Sequence, residues 1–149
     1  MEVTIKPVDK KNWKDIIKLK VSDSQAGFVA SNIYSLAEAA YGESSVPLGI
    51  FHHNQAVGFI MYESLDYEGK EGEYNIFRFM VDKDHQNKGV GRLALQRTVA
   101  DISSMPNCKR ITICYLPNNS VAKSFYQSIG FSEVGLDESG EMIAEIKNK

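Results

Sequence analysis

Hydrophobic and polar positions in the first third of the chain predict one strand and two helices. Residues 3–6 alternate between apolar and polar side chains and predict a short strand. Asp9 is a predicted N-cap for a helix whose apolar positions have helical spacing: Trp13, Ile16, Ile17 and Leu19. Serines at 22 and 24 end this helix, and a second helix is predicted around residues 36–40. Residues 41–47 then predict a loop.

The remaining pattern predicts a mixed α/β (α+β) arrangement in the order β-α-α-β-β-β-α-β-α-β-β. Residues 48–52 and 56–62 are apolar runs that meet at a short polar turn, which is typical of a hairpin. Further strands are predicted at 74–81, 110–115, 131–134 and 142–146. Helices are predicted at 90–103 and at 119–129, the latter ending at Gly130. The first of these helices has four apolar positions that we expect to be buried: Leu93, Leu95, Val99 and Ile102.

Composition excludes several classes of function. A length of 149 residues suits a single domain, 1–149, and a net charge of −2 gives no basic face for nucleic acid. Cys108 and Cys114 are too few for a disulfide scaffold and lack zinc spacing, so we expect reduced thiols and no metal. Neither a signal peptide nor a membrane-spanning run is present, which predicts a cytoplasmic protein with no membrane partner.

The segment 86–91 lies at the start of a predicted helix, where glycines admit a phosphate close to the backbone. Free N–H groups and the helix dipole favour an anion there, and Lys88 and Arg92 add positive charge. The segment does not match a P-loop. It matches GxGxxA, but seven residues separate it from the preceding strand and the acidic residue of the dinucleotide fold is missing. By itself it fits a phosphate site and a plain glycine turn equally well.

Two motifs resemble those of the GNAT N-acetyltransferase superfamily. Gln86, Gly89 and Gly91 fit its acetyl-CoA signature, [Gln/Arg]-x-x-Gly-x-[Gly/Ala], after a strand and a charged connector. A second match follows in order at Asn119, Ala122, Phe125, Tyr126, Gly130 and Phe131. The resemblance implies a mixed central sheet of six to seven strands with a V-shaped split between strands 4 and 5, flanked by about four helices. It also implies acetyl-CoA as cosubstrate.

The resemblance carries roles to particular residues. It implies that the backbone of Met80 and Val81 binds the pantetheine arm, and that Tyr126 is the general acid at the departing thiolate; a buried packing aromatic is the alternative. The other cofactor-binding residues that it implies are Gln86, Asn87, Lys88, Gly89, Val90, Gly91, Arg92 and Asn119, of which Asn119 is also a predicted helix cap. No general base is identified, since residues 74–81 contain no acid. Arg78 in so apolar a strand predicts an acidic partner.

Further segments resemble the bacterial diamine and spermine/spermidine acetyltransferases, namely 28–32, 35–39, 57–62 and 78–82. A small cationic amine, a polyamine or diamine, is therefore the predicted acceptor. Its pocket should combine carboxylates with aromatic walls, and the candidates are Phe28, Tyr34, Glu38, Glu63 and Glu141. For each glutamate a solvated surface charge is the alternative.

Other functions stay open from the sequence. The acceptor can instead be a protein N-terminus, a lysine, an amino acid or an aminoglycoside. A non-catalytic acetyl-CoA-binding module is a third possibility, against which the retained Tyr126 argues. A homodimer is one assembly that the resemblance suggests.

Overall fold

The computed structural model describes residues 2–148, which form a sheet flanked by helices. The seven strands within these residues are β1 Val3–Pro7, β2 Ser45–His52, β3 Gln55–Ser64, β4 Glu73–Val81, β5 Arg110–Tyr115, β6 Ser132–Leu136 and β7 Met142–Lys147. The α-helices are α1 Trp13–Ile17, α2 Asn32–Tyr41, α3 Val90–Ser103 and α4 Ser120–Ile129. Short 3₁₀ turns occupy Asp23–Phe28, Asp66–Glu68 and Lys83–His85. The predicted order of strands and α-helices is confirmed.

The strands form one mixed sheet in the order β1-β2-β3-β4-β5-β7-β6. All neighbours are antiparallel except β4 and β5, which run parallel. The β4–β5 pairing extends only from Glu73 opposite Arg110 to Ile76 opposite Ile113. Beyond that point the two strands diverge, which confirms the predicted split.

The outer edges of the diverging strands stay paired. β4 remains paired with β3 as far as Val81 opposite Gly58, and β5 remains paired with β7 as far as Tyr115 opposite Met142. The inner edge of residues 77–81 is therefore without a strand partner. Backbone N–H and C=O groups in such a position need other hydrogen-bond partners, so this gap is suited to a ligand that has its own amide groups.

The helices cover the two faces of the sheet unequally. On one face α3 and α4 pack over a core that includes Leu95, Ile111 and Ile113. On the other face α1 and α2 pack over a smaller core around Ile16 and Phe59. Helices therefore cover both faces of the sheet beside β4. No helix within residues 2–148 has the length and apolarity needed to cross a membrane.

Two helical predictions were wrong in detail. Helix α1 begins at Trp13 with Asn12 as the preceding residue, because Asp9 instead accepts hydrogen bonds from the N–H groups of Lys11 and Asn12 and caps the turn before the helix. The helix also ends at Ile17, short of Leu19.

In α3 the buried face is rotated relative to the prediction. Leu95 and Ile102 are buried as expected, but Leu93 and Val99 are only partly buried. Val90, Ala94 and Thr98 lie against the sheet in their place. The hydroxyl of Thr98 donates to the carbonyl of Ala94 at 2.9 Å. Because this hydrogen bond satisfies the hydroxyl, a polar residue can lie on the buried face of the helix.

One predicted loop belongs to the sheet. Residues 45–47, expected to be loop, extend β2 and pair with β3, with Ser45 opposite Glu63. The turn of this hairpin is tight, with His53 and Asn54 both at positive φ. A turn of this kind suits the right-handed twist of the strands and so supports the long pairing.

Candidate active site

A cleft of about 1110 Å³ opens where β4 and β5 diverge. It is bounded by the end of β4, the loop before α3, helix α4, and the 3₁₀ turn Asp23–Phe28 with the residues after it. Eleven residues singled out from the sequence line it: Phe28, Met80, Val81, Gln86, Asn87, Gly89, Gly91, Arg92, Asn119, Tyr126 and Glu141. The fold therefore brings most of the predicted site into one cleft.

Five other candidates do not line this cleft. The side chain of Val90 is buried in the core, and Lys88 points its ammonium at the carbonyl of Asp84 at 3.1 Å. Tyr34 is 59% exposed on α2. Glu38 and Glu63, described below, have partners within the protein. Val90 could therefore contribute to cofactor binding only through its backbone. Lys88 could contribute through its backbone or through the long-range effect of its charge.

The loop before α3 has the geometry of an anion site. Asn87 and Gly89 adopt left-handed conformations, with φ of 61° and 84°, so the backbone turns sharply just before α3. Gly89 is the N-cap of α3 and provides no side-chain cap. The N–H groups of the first turn, at the positive end of the helix dipole, are therefore available to a phosphate.

Arg92 adds a fixed positive charge to this rim. Its guanidinium donates to Ser128 Oγ at 2.9 Å and lies 5.4 Å from the centre of the Phe125 ring. Both contacts are with α4, so Arg92 links the two helices beside the cleft. A guanidinium held in this way keeps its charge near the loop without further ordering.

The side chain of Gln86 closes the loop onto its neighbours. Its Nε2 donates to the carbonyl of Val81 and to Oε1 of Gln25, both at 2.9 Å. The first hydrogen bond joins the loop to the end of β4, and the second joins it to the turn Asp23–Phe28. Gln25 is a site residue that the sequence did not indicate, because its partner is 61 positions away.

Asn119 has the predicted capping role. Its Oδ1 accepts from the N–H of Ala122 at 3.1 Å at the start of α4. Asn119 also lines the cleft, so the two expected roles are compatible in this geometry. The cap directs α4 so that its inner face, including Tyr126, points at the split in the sheet.

Tyr126 is a buried tyrosine at the inner end of the cleft, with 8% of its surface exposed. Its ring packs among four aromatic rings at 5.6 to 6.5 Å, those of Phe79, Tyr115, Phe125 and Phe131. Burial, with a smaller effect of Tyr115, raises the pKa of Tyr126 well above its ordinary value of about 10. The hydroxyl stays protonated at neutral pH, and the raised pKa makes it a weaker acid than an exposed tyrosine.

Arg78 lines the cleft and has the acidic partner that its apolar strand predicted. Its Nη2 is 3.0 Å from Glu38 Oε1, and Nη1 donates to the carbonyl of Phe77 at 2.9 Å. Its Nε is the one buried side-chain nitrogen or oxygen in residues 2–148 without a hydrogen-bond partner. The ion pair ties α2 to β4 and engages the Glu38 carboxylate.

Glu63 is also engaged. It accepts a hydrogen bond from the hydroxyl of Tyr67 at 2.8 Å. Burial raises the pKa of Glu63, and the hydrogen bond from Tyr67 opposes that rise. Of the three glutamates proposed for the acceptor, only Glu141 lines the cleft.

Cys114 and His85 line the cleft as well, although no sequence pattern indicated a role for either. Both cysteines are free thiols, as expected. His85 lies 3.3 Å from Asp82 through its Nδ1. Within residues 2–148 no group of three or more His, Cys, Asp or Glu side chains is arranged to hold a metal ion.

Comparison with known proteins gives one family and a consistent fold. Residues 13–131 match the acetyltransferase (GNAT) family. The chain is 32% identical over 147 residues to the spermine/spermidine N(1)-acetyltransferase of Bacillus subtilis (strain 168), covering 96% of this chain and 97% of that protein.

Solved structures of similar fold include two acetyltransferases in complex with coenzyme A. The PaiA N-acetyltransferase of Thermoplasma acidophilum, in complex with coenzyme A, superposes with a TM-score of 0.73 at 17% identity, covering 99% of each chain. The aminoglycoside acetyltransferase AAC(6')-Ib, also with coenzyme A, has a TM-score of 0.81 at 15% identity, covering 98% of this chain and 95% of that one. At these identities the likeness concerns the fold alone.

Proposed function

Since the chain belongs to the GNAT family of acetyltransferases, we propose that it transfers the acetyl group of acetyl-CoA to a primary amine of a polyamine or diamine. The observation that carries the acceptor class is the similarity to a spermine/spermidine acetyltransferase over 96% of the chain. That span includes α1 and α2, on the acceptor side, as well as the cofactor motifs.

The residues of the cleft fit acetyl-CoA. The turn at Asn87–Gly89 and the uncapped first turn of α3 offer N–H groups to a pyrophosphate, and Arg92 adds positive charge. The inner edge of β4 near Met80 and Val81 has no strand partner, so backbone groups there can pair with the amides of the pantetheine arm, apart from the Val81 carbonyl, which already accepts from Gln86. When bound, acetyl-CoA supplies a thioester whose carbonyl carbon accepts an amine.

Proton positions decide the chemistry in the cleft. An ammonium has no lone pair, so the acceptor must lose a proton before its nitrogen can attack. The nitrogen–carbon bond then forms and the carbon–sulfur bond breaks. In this step the nitrogen loses a second proton, and the departing thiolate gains one. Tyr126 is the residue that we assign to that delivery, because it lines the cleft and its hydroxyl is protonated at neutral pH.

An amine panel tests the proposal. The full chain is assayed by thiol release with spermidine, spermine, 1,4-diaminobutane, lysine, a peptide with a free N-terminus, and kanamycin; the reaction without amine measures hydrolysis. We expect kcat/KM for the polyamines to exceed that for lysine and the peptide by at least about tenfold, the effect of one additional charge-assisted contact. A preference for lysine, peptide or kanamycin would refute the polyamine assignment. Acetyl-CoA binding by calorimetry without turnover of any amine would refute the enzymatic one.

A further inference from the structure

Among the described residues 2–148 that line the cleft, Glu141 is the only one with a carboxylate side chain. Three other glutamates that could bind a cation already have partners within the protein. Glu38 pairs with Arg78, Glu63 accepts from Tyr67, and Glu133 accepts from Tyr115 at 2.7 Å. None of the ion pairs in the described part of the chain uses the Glu141 carboxylate. The cleft therefore contains one negative charge that no protein cation neutralises.

The position of Glu141 places this charge on the β5 side of the split. It directly precedes Met142, which pairs with Tyr115 at the end of β5. Burial raises the pKa of the Cys114 thiol to about 11, and the negative charge of Glu141 is the next largest contribution. Because Cys114 also lines the cleft, the Glu141 carboxylate lies beside the cleft wall that β5 forms, across from β4.

A turn closed by Asp137 holds Glu141 in place. Asp137 Oδ1 accepts hydrogen bonds from the N–H and hydroxyl of Ser139, at 2.9 and 2.8 Å, and from the N–H of Glu141 at 2.9 Å. The N–H of Asp137 in turn donates to the carbonyl of Glu141 at 2.8 Å. Both backbone polar groups of Glu141 are thus bonded to one residue, which limits the positions open to its side chain.

Chemistry distinguishes which part of an acceptor this carboxylate suits. A carboxylate beside the reacting ammonium would either have to remove its proton or, if the two stayed paired, would favour the protonated form and so oppose attack. Beside an ammonium that does not react, the same charge contributes only to binding. A carboxylate without a partner in this cleft therefore suits a molecule that has two or more amino groups.

We infer that Glu141 determines specificity by binding the non-reacting ammonium group of a diamine or polyamine, and that Asp137 is a positioning residue that holds it in place. The inference rests on the proposed function and adds to it the residue that selects a second positive charge. A residue with this role should favour 1,5-diaminopentane over pentylamine, which has the same chain length and reacting group but no second charge.

The test compares kcat/KM for these two amines in the wild type and in matched variants. We expect the wild type to prefer the diamine, and Glu141→Gln to reduce that preference about tenfold, mainly through KM of the diamine, as expected for loss of one charge-assisted contact. Glu138→Gln removes an exposed carboxylate from the same turn and is expected to leave the preference unchanged. Asp137→Ala should reduce the preference, and Asp137→Asn, which keeps the accepting oxygen, should restore it.

The outcomes separate the two proposals. An unchanged preference in Glu141→Gln, or an equal loss in Glu138→Gln, would overturn the role of Glu141. A wild type that does not prefer the diamine would overturn it as well. Failure of the proposed function is a different result, since it appears in the wild type as preference for lysine, peptide or kanamycin in the amine panel. Thermal melts of each variant verify that it is folded.

Discussion

Replacing Tyr126 with phenylalanine removes one hydroxyl and leaves the surrounding packing in place. The ring of Tyr126 contacts Phe79, Tyr115, Phe125 and Phe131, and a phenylalanine ring keeps these contacts. We therefore expect the free energy of unfolding to change by less than about 1 kcal/mol, the usual net value of one hydrogen bond. Tyr126→Ala, by contrast, should cost about 3–5 kcal/mol, because it leaves a large cavity.

The effect on turnover should be much larger than the effect on stability. A positioned general acid contributes about 10²- to 10⁴-fold. We expect the lower end, about 100-fold in kcat or ~2.7 kcal/mol on the barrier, because the cleft is open enough for water to protonate the thiolate in place of the tyrosine. The assay is thiol release at saturating acetyl-CoA and amine, with acetyl-CoA affinity measured separately by calorimetry.

Tyr115→Phe is the matched control. Tyr115 also lines the cleft, but its hydroxyl donates to Glu133 instead of being available there. We expect Tyr115→Phe to keep kcat within about twofold, well below the effect of losing a general acid. An unchanged kcat in Tyr126→Phe would reduce Tyr126 to a packing residue. A large loss of acetyl-CoA affinity at unchanged kcat would make its hydroxyl a binding group instead of an acid.

The pH dependence provides a second check on the same residue. Burial raises the pKa of Tyr126 in the folded protein above its unfolded value of about 10. The neutral phenol is thus favoured by folding, and its contribution to stability is complete below about pH 10 and is lost as pH rises toward the higher folded value. Accordingly, Tyr126 should produce no alkaline decrease in kcat between about pH 8 and pH 10.

Three further predictions concern the framework around the cleft. Gly89→Ala places a side chain at φ 84°, which should cost about 1 kcal/mol and lower the Tm by about 2–4 °C while weakening acetyl-CoA binding. Leu95→Ala removes a fully buried side chain and should cost about 2–5 kcal/mol in urea denaturation. Burial acts to raise the pKa of Asp82, but hydrogen bonds from the N–H groups of Lys20 and Asp84 outweigh it and lower the pKa. Its contribution to stability is therefore present above about pH 4 and lost as pH falls, and Asp82→Asn should show a smaller decrease in Tm between about pH 5 and pH 2.

Each of these has a result that would contradict its reasoning. A Gly89→Ala variant with unchanged Tm and affinity would show that the left-handed conformation is not needed. A loss below about 1 kcal/mol in Leu95→Ala would mean that α3 repacks against the sheet. A wild type and an Asp82→Asn variant with parallel Tm profiles would remove Asp82 from the acid dependence.

Local patterns predicted most of the architecture correctly. The order of strands and α-helices agrees with the structure, because periodic apolar positions and glycine-marked turns act over short stretches of chain. The loop at 86–91 was predictable for the same reason. Its left-handed residues, Asn87 and Gly89, are of types that adopt positive φ readily. The mixed sheet and its split also agree, but they were expected from the family resemblance and not from these local patterns.

Predictions that depended on distant partners were less complete. An acidic partner for Arg78 was expected from the cost of an unpaired charge in an apolar strand, but its identity, Glu38, required the packing of α2 on β4. Similarly, the hydrogen bond between Gln86 and Gln25 joins segments 61 residues apart, and neither segment alone indicates it.

The three candidate glutamates show where sequence and tertiary structure divide. The sequence by itself indicated Glu38, Glu63 and Glu141 as candidate carboxylates, and it showed that the cofactor loop and Tyr126 occur in the order that the family has. Only the tertiary structure decided that Glu38 and Glu63 are engaged by Arg78 and Tyr67 while Glu141 faces the cleft. The physical reason is that the direction of a side chain relative to a cleft depends on strand register, bulges and helix packing, which are set by contacts between distant parts of the chain.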